Sequence, residues 1–158
     1  MKTQNRVIQE YEALADAYDR KWAFYIEATT RETIARLSVH REDRLLDVGC
    51  GTGALLERLA ATQPAAQLAG VDPVPEMLAS ARRKLPSAVA LRPGWAEQLP
   101  FDDSQFDIVV SCNMFHFIDR PVDALGEIRR VLQPGGRLVI TDWCGDYWAC
   151  RLFEQYQR

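Results

Sequence analysis

One stretch constrains this chain more than any other: Leu45-Leu46-Asp47-Val48-Gly49-Cys50-Gly51-Thr52-Gly53. An apolar run ends in an acid, and three alternating glycines follow at once. The pattern predicts a buried strand that breaks into a tight loop with a helix behind it. Glycine belongs where φ turns positive or where backbone must come close to a ligand. The following helix aims its free N–H groups back at the loop. A strand–loop–helix of this kind is a nucleotide-cofactor cradle at the carboxyl edge of a parallel sheet.

Gly49, Gly51 and Ala54 also satisfy the dinucleotide pattern G-x-G-x-x-G/A, so the glycines alone do not choose the cofactor. Asp47 does more. A carboxylate just before the loop repels a pyrophosphate and attracts an ammonium or sulfonium. Asp72 ends the second short strand, Gln67–Asp72, at the spacing of a carboxylate that grips ribose hydroxyls. Both NAD proteins and methyltransferases use such an acid. Replacing Asp72 by alanine is expected to weaken cofactor binding with little loss of fold. The glycine stretch resembles the first motif of class I S-adenosylmethionine-dependent methyltransferases, an acid followed by G-x-G-x-G.

Further stretches carry the same resemblance in order. Gly94-Trp95-Ala96-Glu97-Gln98-Leu99-Pro100-Phe101 is similar to the family's Gly-Asp-Ala-Glu-x-Leu-Pro-Phe, which borders the adenine. Trp95 stands where the family often has an aspartate that meets the adenine amine, and it either stacks on the base or packs beside it. Arg130 to Leu138 is similar to the Leu-x-Pro-Gly-Gly-x-Leu connector. Tyr11 to Asp19 looks like the N-terminal lid of the small-molecule branch that acts on quinones, sterols and other metabolites. The resemblance implies S-adenosyl-L-methionine as cofactor, held by Asp47, Gly49, Cys50, Gly51, Gly53, Asp72, Pro73, Met77, Ala96, Glu97, Cys112 and Asn113. It implies Tyr11, Tyr18, Trp22, Met114 and Trp143 as lid and acceptor-side residues, and His116 as the candidate base. The loop Cys112-Asn113-Met114-Phe115-His116-Phe117 is not Asn-Pro-Pro-Tyr, which argues against DNA bases and glutamine amides as acceptors.

The remaining patterns build one α/β domain with a doubly wound, mostly parallel, Rossmann-like sheet. Helices are expected over 5–19, 26–37, from the glycine loop up to Pro64 with Leu55, Leu56, Leu59 and Ala60 as its apolar face, over 76–85 and from Pro121 to about 132. Strands are expected at 88–92, 106–111 and 137–142 besides the two above. Leu125 is expected on the buried face of the helix after Pro121, with Pro134-Gly135-Gly136 ending that helix. Residues 1–40 would form the lid, 41–145 the cofactor-binding core and 146–158 a last helix. The family's final antiparallel hairpin has no counterpart here, so the fifth strand and final helix are expected to pair in a homodimer.

At 158 residues and net charge −3, the chain has no basic block for nucleic acid or an anionic membrane. No apolar run could span a bilayer or serve as a signal core, so a cytoplasmic location is the expectation. Cys50, Cys112, Cys144 and Cys150 lack zinc-like spacing. They read as thiols, although three fall at strand ends, where a metal or metalloid site is the sharper alternative. Methyl transfer to a small molecule is the leading function. A catalytically silent S-adenosylmethionine-binding scaffold and an NAD-binding Rossmann protein are the alternatives.

Overall fold

The computed structural model describes residues 2–142 apart from 16 and 65. Three helices lead: α1 (Lys2–Leu14), α2 (Tyr18–Lys21) and α3 (Ala23–Leu37). Then follow β1 (Arg44–Val48), α4 (Ala54–Thr62), β2 (Gln67–Asp72), α5 (Pro75–Lys84), β3 (Ala90–Pro93), β4 (Phe106–Cys112), α6 (Pro121–Val131) and β5 (Leu132–Thr141). The five strands form one sheet in the order β3-β2-β1-β4-β5, and all neighbours pair in parallel. The chain winds outward from β1 in one direction and returns through β4 in the other. The switch point between β1 and β4 leaves a crevice at the strands' carboxyl ends.

The period of two along β1 explains why both faces are covered. Leu45 faces a core with Leu55, Leu56 and Leu59 of α4 and Leu78 and Ala81 of α5. Its neighbours Leu46 and Val48 face the opposite core, built with Ala124, Ile128 and Val131 of α6 and with Leu99 and Phe101. Leu45 and Leu46 are fully buried, each worth about 1.5–3 kcal/mol of transfer free energy. The near-continuous apolar strands follow from burial on both faces.

Three expectations are corrected. The first helix stops at Leu14, and Ala17 N–H closes a turn on the Leu14 carbonyl at 2.9 Å. A continuous helix would separate positions 11 and 18 by about 10 Å along its axis; the break brings the Tyr11 and Tyr18 rings to 5.7 Å, tilted by 50°. The Pro134-Gly135-Gly136 segment does not simply end α6. It loops out within β5, since Phe106 pairs with Leu132 while Ile108 pairs with Arg137. Gly135, at φ 82°, makes that detour. Leu125 is 41% exposed and lies outside the buried stripe of Ala124, Ile128 and Val131.

β5 is the outer strand on its side of the described sheet, and Ile140 on it is 40% exposed. The expected final helix, and with it Trp143, lies outside the described residues.

Candidate functional site

The crevice is shaped by three strand ends. β1 ends at Val48 and runs into the glycine loop, where Gly49, Gly51 and Gly53 all have positive φ. β2 ends at Asp72, and β4 at Cys112, followed by Asn113 in the left-handed region at φ 60°. Together with the turn after β3 and the break between α1 and α2, they wall a cavity lined by Tyr11, Tyr18, Gly49, Gly51, Asp72, Pro73, Met77, Ala96, Glu97, Cys112, Asn113 and Met114. A second recess adjoins it, sharing Tyr18, Gly49, Gly51, Cys112 and Asn113 and adding Asp47, Cys50, Thr30 and Thr52.

The loop's own donors are largely spent on the protein. Gly49 and Cys50 N–H both donate to the Val71 carbonyl, at 2.8 and 3.0 Å, and Gly53 N–H donates to the Cys50 carbonyl at 2.9 Å. Gly51 N–H donates to Asp72 Oδ2 at 2.8 Å. A pyrophosphate needs such donors free, and here it would also meet two carboxylates. Asp72 Oδ1 accepts the Val74 N–H at 2.9 Å, an Asx-type turn that aims the chain into α5. Asp72 thus braces the loop and the start of α5 as well as facing the cavity.

Asp47 is 2% exposed, and its Oδ1 has no hydrogen-bond partner among the described residues. Burial, and then the charge of Asp72, push its carboxyl up to about 8. Burial also lifts Asp72, to about 6, against the pull of the Val74 and Gly51 N–H groups. Two buried acids without a cation mark a place for a positively charged group. An ammonium- or sulfonium-bearing cofactor fits this donor-poor, acid-rich loop; a dinucleotide does not.

The aromatic side is apolar and neutral. Burial raises the Tyr11 hydroxyl above the ordinary tyrosine range, helped by Tyr18 and the charges of Glu10 and Asp72. Burial, then Asp19 and Asp72, push Tyr18 up to about 12. Phe117 meets Tyr11 edge to face at 5.6 Å. Burial raises both Cys50 and Cys112, keeping them thiols. No cluster of three or more His, Cys, Asp or Glu side chains suited to a metal occurs among the described residues.

Some of the expected residues are placed elsewhere. Gly53 starts α4, where a Cβ would meet Leu85 at 2.9 Å; it lines neither space. Trp22 caps α3 and is likewise outside both linings. His116 sits on a 3-10 turn, Phe115–Phe117, outside the lining set, with its ring against Phe117. Its Nδ1 lies 2.6 Å from Asp142 Oδ1, and its backbone N–H donates to Asp142 Oδ2 at 2.8 Å. The Asn113 side chain is held by α3: Tyr25 Oη donates to its Oδ1 at 2.7 Å, and its Nδ2 donates to Thr29 Oγ1 at 2.8 Å.

Sequence reasoning missed that brace. Its signal is the four-residue spacing of Tyr25, Thr29 and Thr33, which puts three hydroxyls on one face of α3. Thr33 is fully buried and donates to Thr141 Oγ1 at 2.8 Å. Arg130, in the last turn of α6, does more than suit the helix dipole. It donates to the Leu99 and Phe101 carbonyls at 3.0 and 2.8 Å and pairs with Glu127, which accepts the Leu99 N–H at 2.9 Å. This clamp fixes the Leu-Pro-Phe segment beside the cavity.

The fold and this crevice define a class: a Rossmann-like α/β domain built for a cationic cofactor at the switch point of a parallel sheet. Residues 46–140 match the methyltransferase domain family, and the chain belongs to it, a family and fold that imply the use of S-adenosylmethionine in general. An uncharacterized methyltransferase of Mycobacterium tuberculosis is 46% identical over 95 residues, covering 60% of this chain and 37% of the relative. The demethylmenaquinone methyltransferase of Thermus thermophilus is 36% identical over 132 residues, covering 81% of this chain and 60% of the relative. Among solved structures, a SAM-dependent methyltransferase from Thermotoga maritima superposes with a TM-score of 0.76 at 27% identity, covering 92% of this chain and 66% of the other. The chain thus spans less than two thirds of the length of these curated relatives.

Proposed function

We propose that this domain binds S-adenosyl-L-methionine and transfers its methyl group to a small, apolar, aromatic or quinone-like acceptor. The observation that carries the reading is Asp47: a carboxylate buried beside the glycine loop with one oxygen unpartnered. It would hold the cofactor's ammonium, Asp72 the ribose hydroxyls, and Met77, Ala96 and Glu97 the base. Bound there, the group supplies a methyl carbon on a sulfonium, open to in-line displacement. The chain's part is positioning and exclusion of water: Tyr11, Tyr18 and Phe117 roof the cavity, and Met114 packs against Gly49. The demethylmenaquinone methyltransferase relative supports a ring acceptor, and so does the aromatic roof. His116, oriented by Asp142, serves as base only for an acceptor that carries a proton and reaches the rim.

Titration calorimetry with S-adenosylhomocysteine and with NAD tests the binding. Transfer of labelled methyl groups to a panel of quinols and phenols tests the activity. Binding of NAD but not of S-adenosylhomocysteine would overturn the proposal, and binding without turnover on any acceptor would leave the scaffold alternative in its place. A homodimer through the β5 edge belongs to the same proposal; light scattering that stays monomeric across a concentration series refutes it.

A further inference from the structure

Tyr25 lines neither the cavity nor the recess beside it, yet its hydroxyl ends on a residue that lines both, Asn113. We propose that Tyr25 is a positioning residue: its hydroxyl, acting through Asn113, seats Met114 on the glycine loop and so fixes the cavity wall against which a ligand binds. The inference rests on the proposed S-adenosylmethionine site and adds to it a residue of α3 that lies outside both spaces.

Asn113 is a non-glycine residue at φ 60°, directly after β4. A strained conformation at the edge of a cavity persists only where its surroundings hold it. Here the hold comes from a helix. Tyr25 Oη donates to Asn113 Oδ1 at 2.7 Å, and Asn113 Nδ2 donates to Thr29 Oγ1 at 2.8 Å. Thr29 Oγ1 in turn donates to the Tyr25 carbonyl at 2.8 Å, so the three residues close a ring. Hydrogen bonds have a direction, which apolar contacts lack, so the ring fixes Asn113 in angle as well as in distance.

The helix that supplies the hold is itself anchored on both sides of Tyr25. Toward its end, the buried Thr33 hydroxyl lies 2.8 Å from Thr141 Oγ1. Toward its start, Ile26 N–H donates to the Trp22 carbonyl at 2.9 Å and Trp22 N–H to the Tyr18 carbonyl at 3.0 Å, which joins α3 to α2 and the cavity roof. The Asn113 N–H donates to the Thr141 carbonyl at 2.7 Å, so α3 and β5 grip the same residue from two sides. The next residue carries the consequence. Met114 lines the cavity, and its side chain fills the space that a Cβ on Gly49 would need. Without the Tyr25 hydroxyl, Asn113 relaxes and Met114 lifts from the glycine loop with it.

The test compares the full-length wild type with Tyr25→Phe, which keeps the ring and deletes the hydroxyl, by titration calorimetry with S-adenosylhomocysteine. The variant should bind about two- to tenfold more weakly, the range of one neutral hydrogen bond. A role confined to the fold would lower the melting temperature and leave affinity alone. Two further readouts fix the route. In ligand-free protein labelled at the methionine methyls, the Met114 resonance should shift in Tyr25→Phe, while that of Met77, buried on α5, stays in place. In an Asn113→Ala background, Tyr25→Phe should change the affinity by less than about 1.5-fold, because the residue it acts through is gone. Circular dichroism checks that each variant is folded; should Asn113→Ala not be, the Met114 methyl decides the route. An affinity unchanged in Tyr25→Phe, an unmoved Met114 methyl, or an effect undiminished without Asn113 overturns the role of Tyr25 and leaves the cofactor site standing. Failure of the wild type to bind S-adenosylhomocysteine overturns the proposed function and this inference with it.

Discussion

The carboxylate of Asp19 accepts a hydrogen bond from the hydroxyl of Thr52 in the glycine loop, and its other oxygen lies 2.6 Å from Lys84 Nζ at the end of α5. One side chain of the N-terminal segment thus ties the roof of the cavity to its floor. Both partners are partly exposed, at 44% for Asp19 and 24% for Lys84. The tie is therefore worth only about 0.5–1 kcal/mol. That suffices to hold a flap without holding the fold.

Asp19→Asn keeps the hydrogen bond to Thr52 and loses the ion pair. It should speed dissociation of S-adenosylhomocysteine by about two- to fivefold and leave the melting temperature nearly unchanged. Raising the salt concentration should do the same to the wild type and little to the variant. Stopped-flow displacement measures both. A release rate indifferent to the substitution and to salt would show that the contact does not restrain the flap.

Asp47 should make the free protein less stable as pH rises. Its folded carboxyl titrates near 8, well above the ordinary 3.8 of the unfolded chain. Between those values the folded state holds the extra proton, so stability declines by up to about 1.4 kcal/mol per pH unit. Asp72, lifted to about 6, adds to the decline at the acid end of that window. Asp47→Asn should flatten the pH dependence of melting and raise stability at pH 8. The same change should weaken S-adenosylhomocysteine about 10- to 100-fold and remove the rise in affinity with pH expected up to about 8. Melting curves from pH 4 to 8.5 decide the first part and calorimetry the second.

Asp72→Ala should cost both affinity and fold. From its position alone, Asp72 reads as a ribose ligand whose loss spares the structure. The Gly51 and Val74 N–H groups both end on it, at 2.8 and 2.9 Å. Alanine leaves two donors without their acceptor, at about 1–3 kcal/mol each. Asp72→Asn keeps an oxygen for one of them and should be the milder change. Urea denaturation of the two variants, alongside their affinities, separates the bracing role from the binding role.

That double duty shows where the sequence was legible. The strands themselves, the glycine loop and the acid-ended β2 follow from apolar runs and punctuation, because each is a local pattern with a local cause. Register-dependent features were not legible. The break after Leu14 depends on Tyr11 and Tyr18 meeting across it, and the loop-out in β5 depends on how many residues face Asp107 in β4. The Tyr25–Asn113 bond joins residues 88 apart, and the four-residue spacing of hydroxyls along α3 does not say which distant side chain they meet. His116 shows the converse: a histidine after β4 reads as a cavity base by position, yet its ring rests behind Phe117 against Asp142.

Gly49 and Gly51 should respond differently to the same substitution. Both have positive φ, 75° and 52°, so alanine costs each about 1–2 kcal/mol of backbone strain. Their surroundings then part company. A Cβ on Gly51 meets nothing within 4 Å, whereas one on Gly49 would lie 2.3 Å from Met114 Cγ and 2.8 Å from its Cβ. Met114 follows Asn113, which Tyr25 and Thr29 hold in a left-handed conformation. Its Cβ cannot swing aside as a side-chain tip would, so Gly49→Ala must displace the loop after β4. Gly49→Ala should therefore be the less stable variant by a further 1–3 kcal/mol or so, the range of an overpacked site. Gly51→Ala should stay folded and lose affinity mainly because its methyl enters the cavity. Pairing Gly49→Ala with Met114→Ala removes the Cγ contact and keeps the Cβ one, so it should recover only part of the lost stability and none of the strain. Thermal melts of the three variants measure this, and equal melting points for Gly49→Ala and Gly51→Ala would show that Met114 does not rest on the glycine loop.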